Sequence, residues 1–275
     1  GVAGAAAATV IGQWVAGILG ILLNAKKNPD IQVHFKDIFH PNAKIIGYIY
    51  AVGIPSIIMS AIGSVMTFGM DLILVNFTTT AVAVFGAYFK LQSFFFMPIL
   101  GMNNALVPII AYNYGARKKD RVIKTIKLGI RYAMCFMLVG MLLFETIPGV
   151  LLGMFSPSED MLAIGIPALR KIAIHFPIAA VCIILMSTLQ ALGKAFYSML
   201  VAIGRQLVVL LPAAYILAKV GGLYAVWWSF PIAEAVSLAL CTSFFLHVKR
   251  TIIDPLDHPV TADLQEVADR ESVQC

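Results

Sequence analysis

Charge is scarce in this sequence. Asp, Glu, Lys and Arg make up 12% of its 275 residues, while 60% are hydrophobic and the mean hydropathy is +0.88. A soluble domain carries roughly 25% charged residues, because its surface must meet water. The shortage excludes a soluble enzyme, a nucleic-acid binder or a secreted globule over most of the length. Cysteine is sparse too. Cys135, Cys182, Cys241 and Cys275 are far apart, with no CxxC or metal-ligand spacing, so neither a disulfide framework nor a zinc site is implied. No HExxH, GxSxG or EF-hand loop occurs, and no TVGYG filter. Gly193–Lys194 has the look of a phosphate-loop end, but Thr188 and Ala195 occupy the flanking positions where that motif needs Gly and Ser or Thr. ATP is therefore not the direct energy source within this chain. His34 and His40 have no ligand partners at useful spacing. These absences leave an integral membrane protein without catalytic apparatus, for which secondary transport is the natural reading and enzymatic activity is not expected.

What is present is apolar length. About 20 apolar residues span the hydrocarbon core as a helix. Seven stretches qualify: 1–23, 45–74, 81–112, 130–152, 161–189, 196–218 and 223–246. None alternates as the strands of a membrane barrel do. The fold expected is all-α, a polytopic bundle of about seven transmembrane helices.

Basic residues orient it. Lys26, Lys27, Lys36 and Lys44 follow the first stretch, and Arg117, Lys118, Lys119, Arg121, Lys124, Lys127 and Arg131 the third. Lys194 follows the fifth, and Lys249 and Arg250 the seventh, whereas the intervening turns hold only Lys219. Basic loops stay inside, so the net charge of +6 records topology and implies no nucleic acid. The first span then starts outside and the C-terminus is cytoplasmic. Seven spans with an outside start predict a chain that begins inside a longer, even-numbered protein. Gly4, Ala8, Gly12, Ala16 and Gly20 form one small-residue stripe suited to close helix packing. Pro55, Pro98, Pro108, Pro177, Pro212 and Pro231 fall within spans and predict bends.

Polar groups inside a bilayer cost about 2.5–3.5 kcal/mol each when charged, so each is a candidate for function. Glu234 lies mid-way along the last span; it could exchange a proton, bind a cation or pair with a buried Arg. Asp71 sits late in the second span and Glu145 late in the fourth, both within reach of outer water. Lys90, in the third span, either snorkels or faces a central cavity, and Arg170 and Lys171 are similarly placed in the fifth, beside His175. Arg205 is expected to reach cytoplasmic water or lipid phosphate. Gln92, Ser93, Asn103 and Asn104 stand among Phe94, Phe95, Phe96 and Met97, a mixture suited to an amphiphilic ligand. The pathway candidates are Glu234, Asp71, Lys90, Gln92, Asn103, Asn104, Arg170 and His175.

Five segments in register resemble a known family. They are the opening GVAGAAAATVIGQ, GIPSIIM at 53–59, YNYGARKKDRV at 112–122, LQALGKAFYSML at 189–200 and GGLYAVWWSFPIAEA at 221–235. Together they resemble the multidrug and toxic compound extrusion (MATE) transporters, most nearly the DinF-like and MepA-like bacterial branch. The resemblance implies twelve helices in two six-helix lobes. Residues 1–23 would be the last helix of the first lobe, 24–44 an inter-lobe cytoplasmic loop, 45–250 the second lobe and 251–275 a polar cytoplasmic tail. It implies exchange of amphiphilic or cationic molecules for Na⁺ or H⁺ at a bacterial plasma membrane, without a cofactor. Partners would be those small molecules, membrane lipids and the missing lobe. Carboxylates that couple ions elsewhere in the family have no counterpart near Gly63 or Ala179, which places the ion site in the absent half. Two alternatives remain: a flippase for lipid-linked saccharides, whose cavity would be cationic, or a structural membrane subunit.

Overall fold

A computed structural model describes residues 2–27 and 43–257, and every described element is helical. Most of the expected inter-lobe loop, and the tail beyond residue 257, lie outside the described residues. The chain divides into two units, residues 1–51 and 52–275. The first holds α1 (Val2–Lys27) and the opening turns of α2 (Ala43–Val75). On α1 the small-residue stripe from Gly4 to Gly20 is exposed.

The second unit continues α2 and adds α3 (Thr79–Gly115), α4 (Lys119–Thr146), α5 (Pro148–Gly153), α6 (Glu159–Ala173) and α7 (Phe176–Ala191). There follow α8 (Ala195–Ile203), a π-helical segment over Gly204–Leu210, α9 (Leu211–Gly221), α10 (Leu223–Val226) and α11 (Ser229–Val248), which winds on as π and 3-10 turns to Asp257. Among the described residues six helical runs are long and apolar enough to cross a membrane, and the pair α6–α7, bent by 48°, makes a seventh.

Three departures from the expected spans have local causes. The fourth helix starts at Lys119, eleven residues before the apolar stretch at 130, because Lys and Arg are good helix formers and charge alone does not end a helix. It stops at Thr146, and Pro148, lacking an N–H, opens the short α5. The fifth span is not one helix. Pro177 sits in the first turn of α7, where its missing donor breaks the ladder, and His175 occupies the corner.

Two helix ends share one device. Gly193 has φ +73°, its N–H bonds the carbonyl of Gln190 at 3.0 Å, and the Lys194 N–H bonds that of Leu189 at 2.8 Å. That pattern is a left-handed helix cap, which accounts for Gly193–Lys194 without a phosphate. Arg117 at φ +53° ends α3 in the same way, with Lys118 N–H on the Asn113 carbonyl at 2.9 Å.

In lipid, helices associate by close packing more than by expelling water. Here α3, α4 and α7 pack together and α11 lies against α7. Phe95, Phe144 and Phe176 meet at this junction, their ring centroids 5.1–6.3 Å apart. Gly140 of α4 admits the Phe95 ring: a Cβ there would lie 2.8 Å from Phe95 Cδ1. Across the wall, Ser198 of α8 donates to the Met186 carbonyl at 2.8 Å, tying α8 to α7.

Candidate functional site

The second unit contains an open cavity of about 670 Å³. Each wall follows from helical spacing. Ser60, Gly63, Ser64, Thr67 and Asp71 recur at three- and four-residue intervals, so they line one face of α2. Thr67 Oγ1 donates to the Gly63 carbonyl at 3.0 Å, which keeps its hydroxyl from needing another partner. From α3 come Tyr88, Phe89, Gln92 and Phe96, and from the α6–α7 corner His175. The π-helical segment contributes Arg205, Gln206 and Leu210, and α11 contributes Phe230 and Glu234, one turn apart.

The π segment precedes Pro212, which lies in the first turn of α9 and cannot donate to the carbonyl four residues back. Widened turns of this kind occur often at functional sites, and this one carries Arg205 to the cavity. Arg205 Nη1 lies 3.2 Å from Glu234 Oε2 and 3.4 Å from Oε1. One nitrogen thus serves both oxygens, and Arg205 Nε has no hydrogen-bond partner among the described residues. The Glu234 side chain is 5% exposed and that of Arg205 23%. Tyr88 Oη and Gln206 Oε1, also on the cavity wall, are likewise unpartnered among the described residues. The His175 ring nitrogen Nδ1 bonds the Ile172 carbonyl, and its ring packs against Phe96, Phe176 and Phe230. Asp71 has no ion-pair partner among the described residues. Two carboxylates therefore line one cavity with aromatic walls, and of the two only Glu234 is paired with Arg205 among the described residues.

Of the sequence candidates, Glu234, Asp71, Gln92 and His175 meet in this cavity. The others do not. Lys90 is on the exposed side of α3. Asn103 and Asn104 lie further along α3, outside the lining. Arg170 Nε donates to the Glu145 carbonyl at 3.1 Å, and its neighbour Lys171 to that of Tyr224 at 2.8 Å. Both cations hold helix ends together, so snorkelling alone does not describe them. Arg205 is a correction in the other direction: it points to Glu234, not to cytoplasmic water or lipid phosphate, because the buried carboxylate is the nearer and less screened partner. Tyr88, Gln206 and the serines of α2 went unnoticed in the sequence, although the α2 polar residues carry a plain helical period.

A family profile described as MatE matches residues 55–216, more than half of the chain and most of the cavity wall. The chain belongs to the MatE family. The multidrug export protein MepA of Staphylococcus aureus (strain MSSA476) is 28% identical over 259 residues, which is 92% of this chain and 56% of that protein. An outward-facing multidrug resistance MATE family transporter of the MOP superfamily superposes with a TM-score of 0.77 at 22% identity, over 89% of this chain and 55% of the other. A MOP superfamily transporter from Pyrococcus furiosus gives 0.76 at 22% identity, over 89% and 55%. These likenesses establish a MATE-type membrane fold. The chain spans about half the length of the curated relatives it matches.

Proposed function

We propose that this chain forms the second half of a secondary multidrug antiporter, which expels amphiphilic or cationic small molecules in exchange for Na⁺ or H⁺. Residues 1–23 belong to the last helix of the first half, 24–44 link the halves, 45–250 form the second half and 251–275 are the cytoplasmic tail of a bacterial plasma-membrane protein. The coupling ion binds in the other half. One observation carries this reading: an open cavity of about 670 Å³ walled by Phe68, Phe89, Phe96 and Phe230, with Asp71 uncompensated at its side. Ligand clefts usually enclose about 300–1,000 Å³ of mainly apolar wall with a few placed polar groups. Aromatic faces and a carboxylate both favour a cation. A saccharide flippase would need a cationic cavity for a diphosphate. Arg205 is matched here by Glu234, and Lys90 and Arg170 lie off the cavity.

The test is reconstitution. Co-expressed with a MatE-family N-terminal half, the chain should lower ethidium accumulation in a pump-deficient bacterium; alone it should not. A transport path formed between two halves cannot be completed by one. Full efflux by the chain alone as a monomer would refute the reading, and retention of ethidium with both halves correctly inserted would favour a structural subunit.

A further inference from the structure

We propose that the basic end of α4 is a binding site for an anionic phospholipid. Lys124, Lys127 and Arg131, with Leu128, Ile123 and Asp120, line a groove of about 390 Å³. Three cations face one carboxylate there. Two other basic side chains at this end differ: Lys119 and Lys249 are held by Asp254 at 3.3 and 3.0 Å. No ion pair occupies Lys124, Lys127 or Arg131 among the described residues.

The same face of the helix continues as hydrocarbon. At three- and four-residue spacing after Arg131 come Cys135, Leu138 and Leu142, all exposed. One stripe thus begins as three cations in a groove and proceeds as an apolar track along the span. A headgroup phosphate fits the first part and an acyl chain the second. A free phosphate would gain nothing from the track. Topology alone asks only that a loop be basic; it gives no reason for the cations to stand in register with an exposed apolar stripe. Basic pockets beside membrane helices hold anionic headgroups in this manner. The leaflet is the cytoplasmic one, by the distribution of basic loops.

Cys135 supplies a reporter inside the proposed track. The chain, with Cys275→Ser and a bimane on Cys135, would be placed in nanodiscs of phosphatidylcholine containing a fixed fraction of brominated phosphatidylglycerol or, separately, brominated phosphatidylcholine. Quenching should be stronger with the anionic lipid. Each of Lys124→Gln, Lys127→Gln and Arg131→Gln should lower that preference, by up to about fivefold per cation, and the triple variant should abolish it with its melting temperature unchanged. Lys194→Gln, a basic residue on another loop, should leave the preference intact. Equal quenching by both lipids, or a preference that survives the triple change, overturns the site. A preference that emerges only after residues 258–275 are deleted also overturns it, since the acidic tail would then be the occupant. None of these readouts depends on transport.

Discussion

Arg205 and Glu234, 29 residues apart in sequence, are joined at 3.2 Å across the wall of the cavity. The pair is asymmetric. Glu234 is almost fully enclosed, whereas Arg205 keeps 23% of its side chain exposed and leaves Nε unused. Arg205 Nη1 reaches the Glu234 carboxylate, and the same side chain lines the cavity. Helix packing and the cavity wall therefore meet in one side chain.

The first prediction separates these roles. Glu234→Gln keeps size but strands the guanidinium, and breaking a buried pair costs about 3–5 kcal/mol; the partial exposure of Arg205 puts the expected loss at the lower end. Arg205→Gln should cost a similar amount by leaving Glu234 alone. The double variant should recover most of the loss, because two neutral amides need no counter-charge. Thermal melting of the purified chain measures all three. Additive losses in the double variant would mean that the two residues act independently.

Asp71 offers a contrasting case. It lines the same cavity without an ion-pair partner among the described residues. Asp71→Asn in the two-half transporter should therefore weaken efflux of a permanent cation such as tetraphenylphosphonium several-fold. Melting should be little changed, since no ion pair is broken. Export of an uncharged amphiphile should be less affected, because the aromatic walls remain. Equal loss for charged and uncharged substrates would remove Asp71 from cation selection.

Much of the fold was legible because a bilayer leaves few options: apolar length sets the spans. The cavity was only half legible. Glu234, Asp71, Gln92 and His175 stood out as polar groups in apolar runs. Ser60, Ser64 and Thr67 carried a helical period with Asp71 that reveals a shared face once α2 is treated as amphipathic. The Arg205–Glu234 pair could not be read in this way. It depends on the mutual rotation of two helices, and the π segment at Gly204–Leu210 inserts an extra residue into the turn and alters that rotation. Lys90 and Arg170 misled for a related reason: depth along a helix is readable from sequence, but the face is not when nearly every neighbour is apolar.

Packing gives the third prediction. A methyl group at Gly140 would stand 2.8 Å from Phe95 Cδ1 and 3.3 Å from Phe176 Cδ2. Gly140→Ala should therefore destabilise by about 1–3 kcal/mol through overpacking. Gly86, on α3, has nothing within 4 Å of the same added atom. Gly86→Ala should stabilise by about 0.5–1 kcal/mol, the ordinary gain of replacing glycine within a helix. The backbone gain is common to both changes, so their difference in denaturation midpoint isolates the aromatic contact. Equal shifts would show that Phe95 and Phe176 yield freely.

Orientation is the fourth prediction, and the leaflet assigned to the α4 groove depends on it. The turn after α3 and the start of α4 carry Arg117, Lys118, Lys119 and Arg121, while the turn before α6 and the start of α6 carry Ser156, Ser158, Glu159 and Asp160 with no basic residue. Basic segments are retained in the cytoplasm, so the first turn should be inside and the second outside. Single cysteines at Lys118 and Ser158, in a background where Cys135 and Cys275 are Ser, test this with a membrane-impermeant maleimide on intact cells. Cys182 and Cys241 are buried and can stay. Ser158 caps α6, its Oγ accepting the Met161 N–H at 3.2 Å, and losing a cap costs about 1 kcal/mol. Glu159→Cys, which spares the cap, is therefore the companion probe. Positions 158 and 159 should label from outside, and position 118 only after permeabilisation. The reverse pattern would invert the topology and move the basic groove to the outer leaflet. The Arg205–Glu234 pair and the cavity would stand in either orientation, because their geometry depends on helix packing and not on which side faces the cell.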